Sequence, residues 1–335
     1  MIEVQVTFTV LAATVIALVL TPCTARVMKK LGHLRTDVHK REQPKVPYSG
    51  GVALFASVTP ILIAFALLQW GSTVRVFVLL ASSSMAFLLG LIDDFKVLGG
   101  KVKMLLSLLT AVPLAVAYMV WPDVVQLGRP LVPLLGRLRL TIIYWLLLPL
   151  VAAGPANLVN MLDVFNGVMP ATTLLTALTM SFASLIVGNV EGVVLLAPLI
   201  GALLGYLPYN KWPARILNGD SGSLFVGAYI GAVAALLHLE FIAAIALIPH
   251  ILNGALVIIS VGGFKEHREM KGRPVKILPD FRLAASSDSE APISLTRLIL
   301  AIDGPLDERA VARRLIALSA VSCILAAFSS LLIPR

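Results

Sequence analysis

Asp93 and Asp94 stand side by side in LIDDFKVLGGKVK, at the end of the uncharged run 76–92, and Lys96, Lys101 and Lys103 follow them. Adjacent carboxylates repel each other and resist ionisation unless a cation stabilises both. Two acids with lysines a turn or two away suit a metal and the phosphates it bridges. A helix cap with interfacial ion pairs is the other use these residues allow. A DDxxD site for a prenyl diphosphate is excluded, because Val97 stands at the fifth position and no second such motif occurs.

Three further stretches carry polar chemistry. In NLVNMLDVFNG, Asn157 and Asn160 are spaced i, i+3 and Asp163 extends the series, so a helix puts all three on one face before an Asn166-Gly167 turn. Amide oxygens ligate magnesium and read nucleobase edges; polar residues in such a row also glue membrane helices together. GDSGS, residues 219–223, contains a string known from trypsin-like proteases, but it abuts an apolar span in a chain with no strand pattern. Asp220 is read instead as an acid closing a loop, with small residues around it that let a helix N-terminus approach phosphate and metal. In KEHREMKGRPVK, His267, Arg268 and Arg273 offer donors for a phosphate or an acetamido sugar, against the alternative of a solvated basic stretch. His33, His39, His238 and His250 show no pairing in sequence.

The elements that must position these groups are membrane helices. Of 335 residues, 58% are hydrophobic and 13% charged. A soluble domain carries about 25% charged residues, and long uncharged runs recur throughout. The fold class is an all-α polytopic membrane protein, one integral unit over 1–335, with ten spans at 5–27, 49–70, 75–92, 103–121, 140–157, 167–187, 192–209, 222–238, 240–262 and 311–333. The first run follows Glu3 without a basic leader or cleavage site and is read as a retained helix. Cys23 and Cys323 lie in apolar runs and form no disulfide or zinc pattern.

Loops after odd-numbered spans hold 21 of the 27 Lys and Arg residues. The positive-inside rule puts those loops in the cytoplasm and both termini outside. The net charge of +9 then marks loops that meet anionic lipid, with no nucleic-acid partner. All the polar motifs fall on that one face. A carrier would hold ionisable groups at mid-membrane depth instead. The last loop, 263–310, is long enough for structure of its own: RPVKILPDFRLA alternates weakly, like a short strand or hairpin, SSDSEAP reads as a flexible connector, and ISLTRLILAIDG as an amphipathic segment on the membrane surface.

In order and over nearly the whole chain, DDFKVLGGKVK, NLVNMLDVFNG, LPYNKWPARILNGDSGSLFVG and the EHRE of the last loop resemble the polyprenyl-phosphate N-acetylhexosamine-1-phosphate transferases. LPYNKWPAR and LILAIDGPLDER are similar to the eukaryotic and archaeal branch, which uses UDP-GlcNAc and dolichyl phosphate. The histidine cluster of the bacterial cell-wall branch is missing from the last loop. The resemblance implies ten spans in the lipid bilayer, a cytoplasmic active site, and magnesium (or manganese in its place) on Asn160 and Asp220. It implies catalytic roles for Asp93, Asp94 and Lys103, uracil recognition by Asn166 and the backbone at Gly167 beside Asn157, and sugar-phosphate contacts from His267, Arg268 and Arg273. A homodimer is implied by the same analogy, in the cell membrane of an archaeon or the endoplasmic reticulum of a eukaryote. The chain departs from the eukaryotic pattern at Glu266, where a base stands before the histidine, and at Asp163 and Val164, where small residues stand. The rival readings are a nucleotide-sugar or lipid transporter, a CDP-alcohol phosphotransferase, whose spaced aspartates are absent, and a non-catalytic scaffold.

Overall fold

The computed structural model describes residues 2–70, 72–263 and 272–334. In chain order the long helices are α1 (Ile2–Lys30), α2 (Gly51–Leu68) and α3 (Thr73–Phe95), then α4 (Gly100–Ser107) and α5 (Val112–Val120) joined by a 3-10 turn at Leu108–Ala111. They continue with α6 (Ile142–Leu162), α7 (Val168–Ile186), α8 (Val190–Asn210), α9 (Gly219–Leu237), α10 (Glu240–Ala246) and α11 (Ile248–Val261), and end with α12 (Leu295–Asp303) and α13 (Glu308–Leu331). Among the described residues nine helical stretches are long and apolar enough to cross a membrane. The α10–α11 pair makes a tenth span if counted as one, bent by 73°. Pro249, at the start of α11, cannot donate back to α10, which accounts for a break rather than a curve.

α9 is the axis of the bundle. Nearly all its side chains are buried, and α3 and α6 pack along it, while α8 packs on α1 and α7, and α13 on α7. With little hydrophobic drive between helices in lipid, close packing of small residues has to supply the association. The Gly and Ala content of α9 (GDSGSLFVGAYIGAVAALL) provides it.

Several helices run further into polar sequence than hydropathy suggests. α3 includes Asp93 and Asp94, α6 includes Asn157 and Asn160, and α9 begins at Gly219 and carries Asp220 in its first turn. Their side chains satisfy one another, so the helices need not end where charge begins.

Among the described residues three two-stranded antiparallel hairpins flank the bundle: β1 (Leu34–Thr36) with β2 (Lys45–Pro47), β3 (Leu131–Val132) with β4 (Gly136–Arg137), and β5 (Val275–Ile277) with β6 (Leu283–Ala285). The third is the hairpin expected in the last loop; the other two have no alternating pattern in sequence. α12, expected as an amphipathic segment, buries an apolar face within the protein. Leu295, Ile299 and Leu300 pack with Leu162, Phe165, Val168, Leu283 and α13 residues Val311 and Leu315 in a satellite core. The expected flexible connector is tied down too: the Arg297 guanidinium donates to the carbonyls of Asp288 (2.9 Å) and Ala291 (2.5 Å).

Candidate active site

The two neighbouring acids of α3 do different work. Asp94 faces α9, where its Oδ1 accepts from the Asp220 N–H (2.7 Å) and its Oδ2 from the Ser221 hydroxyl (2.6 Å) and N–H (3.3 Å). It therefore caps the N-terminus of α9, whose first N–H groups have no partner within the helix. Two glycines permit the approach. Gly219 has φ +70°, and a Cβ there would sit 2.5 Å from Asp94 Oδ2; a Cβ on Gly90 would sit 2.6 Å from the Ser221 nitrogen. The GDSGS string is thus a helix start clamped onto α3, as its small residues implied.

Asp93, turned about 100° around the helix, lines a cavity of about 660 Å³, and Asp94 is not among that cavity's lining residues. Asp93 accepts from the Leu98 N–H (2.6 Å) and from Lys103 Nζ (3.0 Å). Lys103 also bonds Asp220, and the Asn160 amide donates to Asp220 Oδ1 (2.9 Å) and to the Ser223 hydroxyl (2.8 Å). Asp93, Lys103, Asn160 and Asp220, from α3, α4, α6 and α9, meet at one place. Asn157, on the same face of α6, lines the cavity and donates to the Ser107 hydroxyl (2.8 Å).

Asp163, just beyond α6, adds a further carboxyl to the cavity wall and accepts from Asn218 (2.7 Å). Burial pushes its pKa up to about 7, and the charges of Asp220 and Asp94 push the same way. Asn218 Oδ1 is buried without a hydrogen-bond partner. Among the described residues Asp37, Asp93, Asp163 and Asp220 line the cavity with Arg35, Lys103 and Arg273, and Lys103 bridges the carboxylates of Asp93 and Asp220. Clustered hard carboxylate oxygens suit a divalent cation of the magnesium type. Turning the Asn160 amide over would add its carbonyl to the donor set.

The Asn166-Gly167 turn is committed to the protein. Asn166 Oδ1 accepts from Lys40 Nζ (2.6 Å) and the Ala214 N–H (2.8 Å), its Nδ2 donates to Asp37 (3.3 Å), and its N–H donates to Glu308 (3.3 Å). Gly167, at φ +81°, starts α7 and donates its N–H to Asn210 (3.0 Å). Asn166 lines the cavity and Gly167 does not. Arg273 lines it from beside β5, whereas His267 and Arg268 lie outside the described residues. Sequence reasoning missed the Asp37, His39 and Glu308 group, whose ligand atoms lie within 4.8 Å of one another. It also gave no role to Arg35 or Tyr48 on the cavity wall. No spacing signals either set, because Glu308 reaches Asp37 and His39 from the start of α13, and Arg35 and Tyr48 meet only through the pairing of β1 with β2.

Comparison with known proteins bears on this arrangement. Residues 76–238, which carry the Asp93, Asn160 and Asp220 motifs, match the family model described as glycosyl transferase family 4. The phospho-N-acetylmuramoyl-pentapeptide-transferase of Clostridium beijerinckii is 31% identical over 267 residues, covering 74% of this chain and 79% of the relative. The chain belongs to the polyprenyl-phosphate N-acetylhexosamine-1-phosphate transferase family. A second member of the family, from Sulfolobus acidocaldarius, carries the provisional name UDP-N-acetylglucosamine–dolichyl-phosphate N-acetylglucosaminephosphotransferase. It is 29% identical over 67% of this chain and 69% of its own length. The phospho-N-acetylmuramoyl-pentapeptide-transferase of Methylacidiphilum infernorum is 29% identical over 65% of this chain, which spans 66% of that relative, just under two thirds. The family is therefore shared between relatives named for a peptide-bearing sugar and one named for a peptide-free sugar.

Proposed function

We propose that this transferase moves GlcNAc-1-phosphate from UDP-GlcNAc to a polyprenyl phosphate of the dolichyl type, giving polyprenyl-diphosphate-GlcNAc and UMP, the opening step of a lipid-linked glycan. The observation that carries the reading is the meeting of Asp93, Lys103, Asn160 and Asp220 from four helices in one cavity. A phosphate oxygen of the lipid attacks the β-phosphorus of the donor and forms a new P–O–P link. The bond from the β-phosphorus to the bridging oxygen breaks, and UMP leaves with that oxygen and its electrons. A lipid phosphate is already ionised near neutral pH, so positioning and charge neutralisation count for more than a strong base.

Magnesium is the proposed cofactor, with Asn160, Asp220 and Asp93 as its holders. When bound it supplies electrostatic stabilisation of the diphosphate and the departing phosphate. Lys103, held between Asp93 and Asp220, carries the mobile positive charge toward the donor's phosphates. Asp94 keeps the first turn of α9 in register, so that Asp220 points into the cavity. The base-rich loops support a cytoplasmic active site in this reading.

The donor preference rests on two features: the last loop lacks the histidine cluster of the cell-wall branch, and one relative is named for UDP-GlcNAc. The names of the other relatives favour a second reading, a donor bearing a muramoyl-pentapeptide. Supplying purified protein with each UDP-sugar and polyprenyl phosphate decides between them. UMP release with UDP-GlcNAc supports the first reading, and release only with the peptide-bearing donor replaces it.

A further inference from the structure

The β1–β2 hairpin brings an uncommitted donor pair to the cavity. Arg35 and Tyr48 both line it, and the Arg35 guanidinium lies over the Tyr48 ring, 5.1 Å from its centroid. His33 makes a tilted ring contact with Tyr48, at 5.6 Å between centroids, and itself stacks on Phe95 at 4.2 Å. Neither the Tyr48 hydroxyl nor the Arg35 guanidinium has a hydrogen bond or ion pair among the described residues. Burial raises the pKa of the Tyr48 phenol, and the charges of Asp220, Asp94 and Asp163 raise it further. The phenol therefore stays a hydrogen-bond donor across the working pH range.

Charge balance says what such a pair would meet. Lys103 is already shared by two carboxylates, and Lys40 is held by Asp37 and Asn166. Both substrates of the proposed reaction bring phosphate groups into a cavity lined by the carboxyl groups of Asp93, Asp163 and Asp220. Cations free of carboxylate partners are what an incoming phosphate needs, and Arg35 is one. A guanidinium stacked on an aromatic ring is pre-oriented, so little freedom is lost when its N–H fork grips an oxyanion.

We propose that Tyr48 and Arg35 form a phosphate subsite on the hairpin wall of the cavity, the phenol O–H and the guanidinium N–H groups donating to oxygens of one substrate phosphate. That the phosphate belongs to a substrate rests on the transfer reaction proposed above; the binding of a phosphate group here does not. The source is either the phosphomonoester of the lipid acceptor or the diphosphate of the nucleotide sugar.

Full-length protein in detergent, with radiolabelled UDP-GlcNAc and radiolabelled polyprenyl monophosphate measured separately by equilibrium binding, separates the two. Tyr48→Phe keeps the ring and its stacking and removes only the hydroxyl; Arg35→Lys keeps a charge, and Arg35→Ala removes it. For one of the two ligands, Tyr48→Phe is expected to weaken binding by about three- to tenfold and Arg35→Ala by about tenfold or more. Arg35→Lys is expected to fall between wild type and Arg35→Ala. The same ligand's KM should rise in turnover assays, and thermal unfolding of Tyr48→Phe should match wild type. The ligand affected names the source. Binding of both ligands within twofold of wild type in Tyr48→Phe and Arg35→Ala overturns the subsite. If the wild type releases no UMP but Tyr48→Phe still weakens lipid phosphate binding, the subsite stands and the transfer reaction is what fails.

Discussion

Substituting the two adjacent acids one at a time separates a residue that builds the site from one that faces the substrate. Asp94 accepts three hydrogen bonds from the first turn of α9, to Asp220 N, Ser221 N and Ser221 Oγ. Asn at 94 keeps the shape but has a single acceptor oxygen, and its NH₂ meets a backbone N–H that also donates. One charge-assisted bond of about 1.5–3 kcal/mol is lost, along with a helix-end charge interaction of about 0.3–1 kcal/mol. The expected destabilisation is roughly 2–4 kcal/mol. Asp93→Asn retains an oxygen for the Leu98 N–H, and Lys103 keeps Asp220, so its stability should change by about 1 kcal/mol or less.

The assay is thermal unfolding of purified protein followed by tryptophan fluorescence, beside UMP release on the same samples. Asp94→Asn should melt several degrees below wild type and lose activity because Asp220 is displaced. Asp93→Asn should melt near wild type yet lose about 100-fold or more in turnover. The assignment is wrong if Asp94→Asn matches wild type in both readouts, or if Asp93→Asn is the less stable of the two.

Three further outcomes follow from the same geometry. Lys103→Gln leaves Asp93 and Asp220 facing each other without their shared ammonium; turnover should fall by about 100-fold or more, and added magnesium should raise the melting temperature more than in wild type. Chelator should abolish UMP release and added magnesium restore it, whereas turnover that persists in chelator would remove the metal from the account. Asp163 has a folded pKa of about 7, above its unfolded value. Its proton is therefore favoured in the folded state, a contribution present in full below about pH 4 and lost as pH rises through 7. In chelator, Asp163→Asn should accordingly be more stable than wild type at pH 8 relative to pH 5, and an unchanged pH slope would contradict the buried carboxyl.

Much of this was legible from the sequence, for physical reasons that also mark where legibility stopped. Long uncharged runs can only be spans, so the helices and the last-loop hairpin were readable from hydropathy and alternation. The i, i+3 row put Asn157 and Asn160 on one side of α6 with Asp163 just past its end, and all three line the cavity. The different facing of Asp93 and Asp94 was not readable. It depends on α9 pressing its first turn against Gly90 and Asp94, a contact between segments over a hundred residues apart. The network that occupies Asn166 was invisible for the same reason, since Asp37, Lys40, Ala214 and Glu308 come from three distant loops or helix starts. Hydropathy also ended α3 and α6 too early, because it treats each acid or amide as exposed and cannot see it paired with a lysine or a helix N-terminus. The amphipathic pattern of α12 was right, but an apolar face does not say whether lipid or the satellite core will cover it.

The central claim is that a phosphosugar, rather than a bare sugar, moves from the nucleotide to the lipid. Purified protein incubated with magnesium, polyprenyl phosphate and UDP-GlcNAc labelled in both the sugar and the β-phosphate tests it in one measurement. The account predicts that both labels reach the lipid together, with one UMP released for each lipid product. Release of UDP with only the sugar label on the lipid, or uptake of intact UDP-GlcNAc into vesicles without UMP, would contradict it.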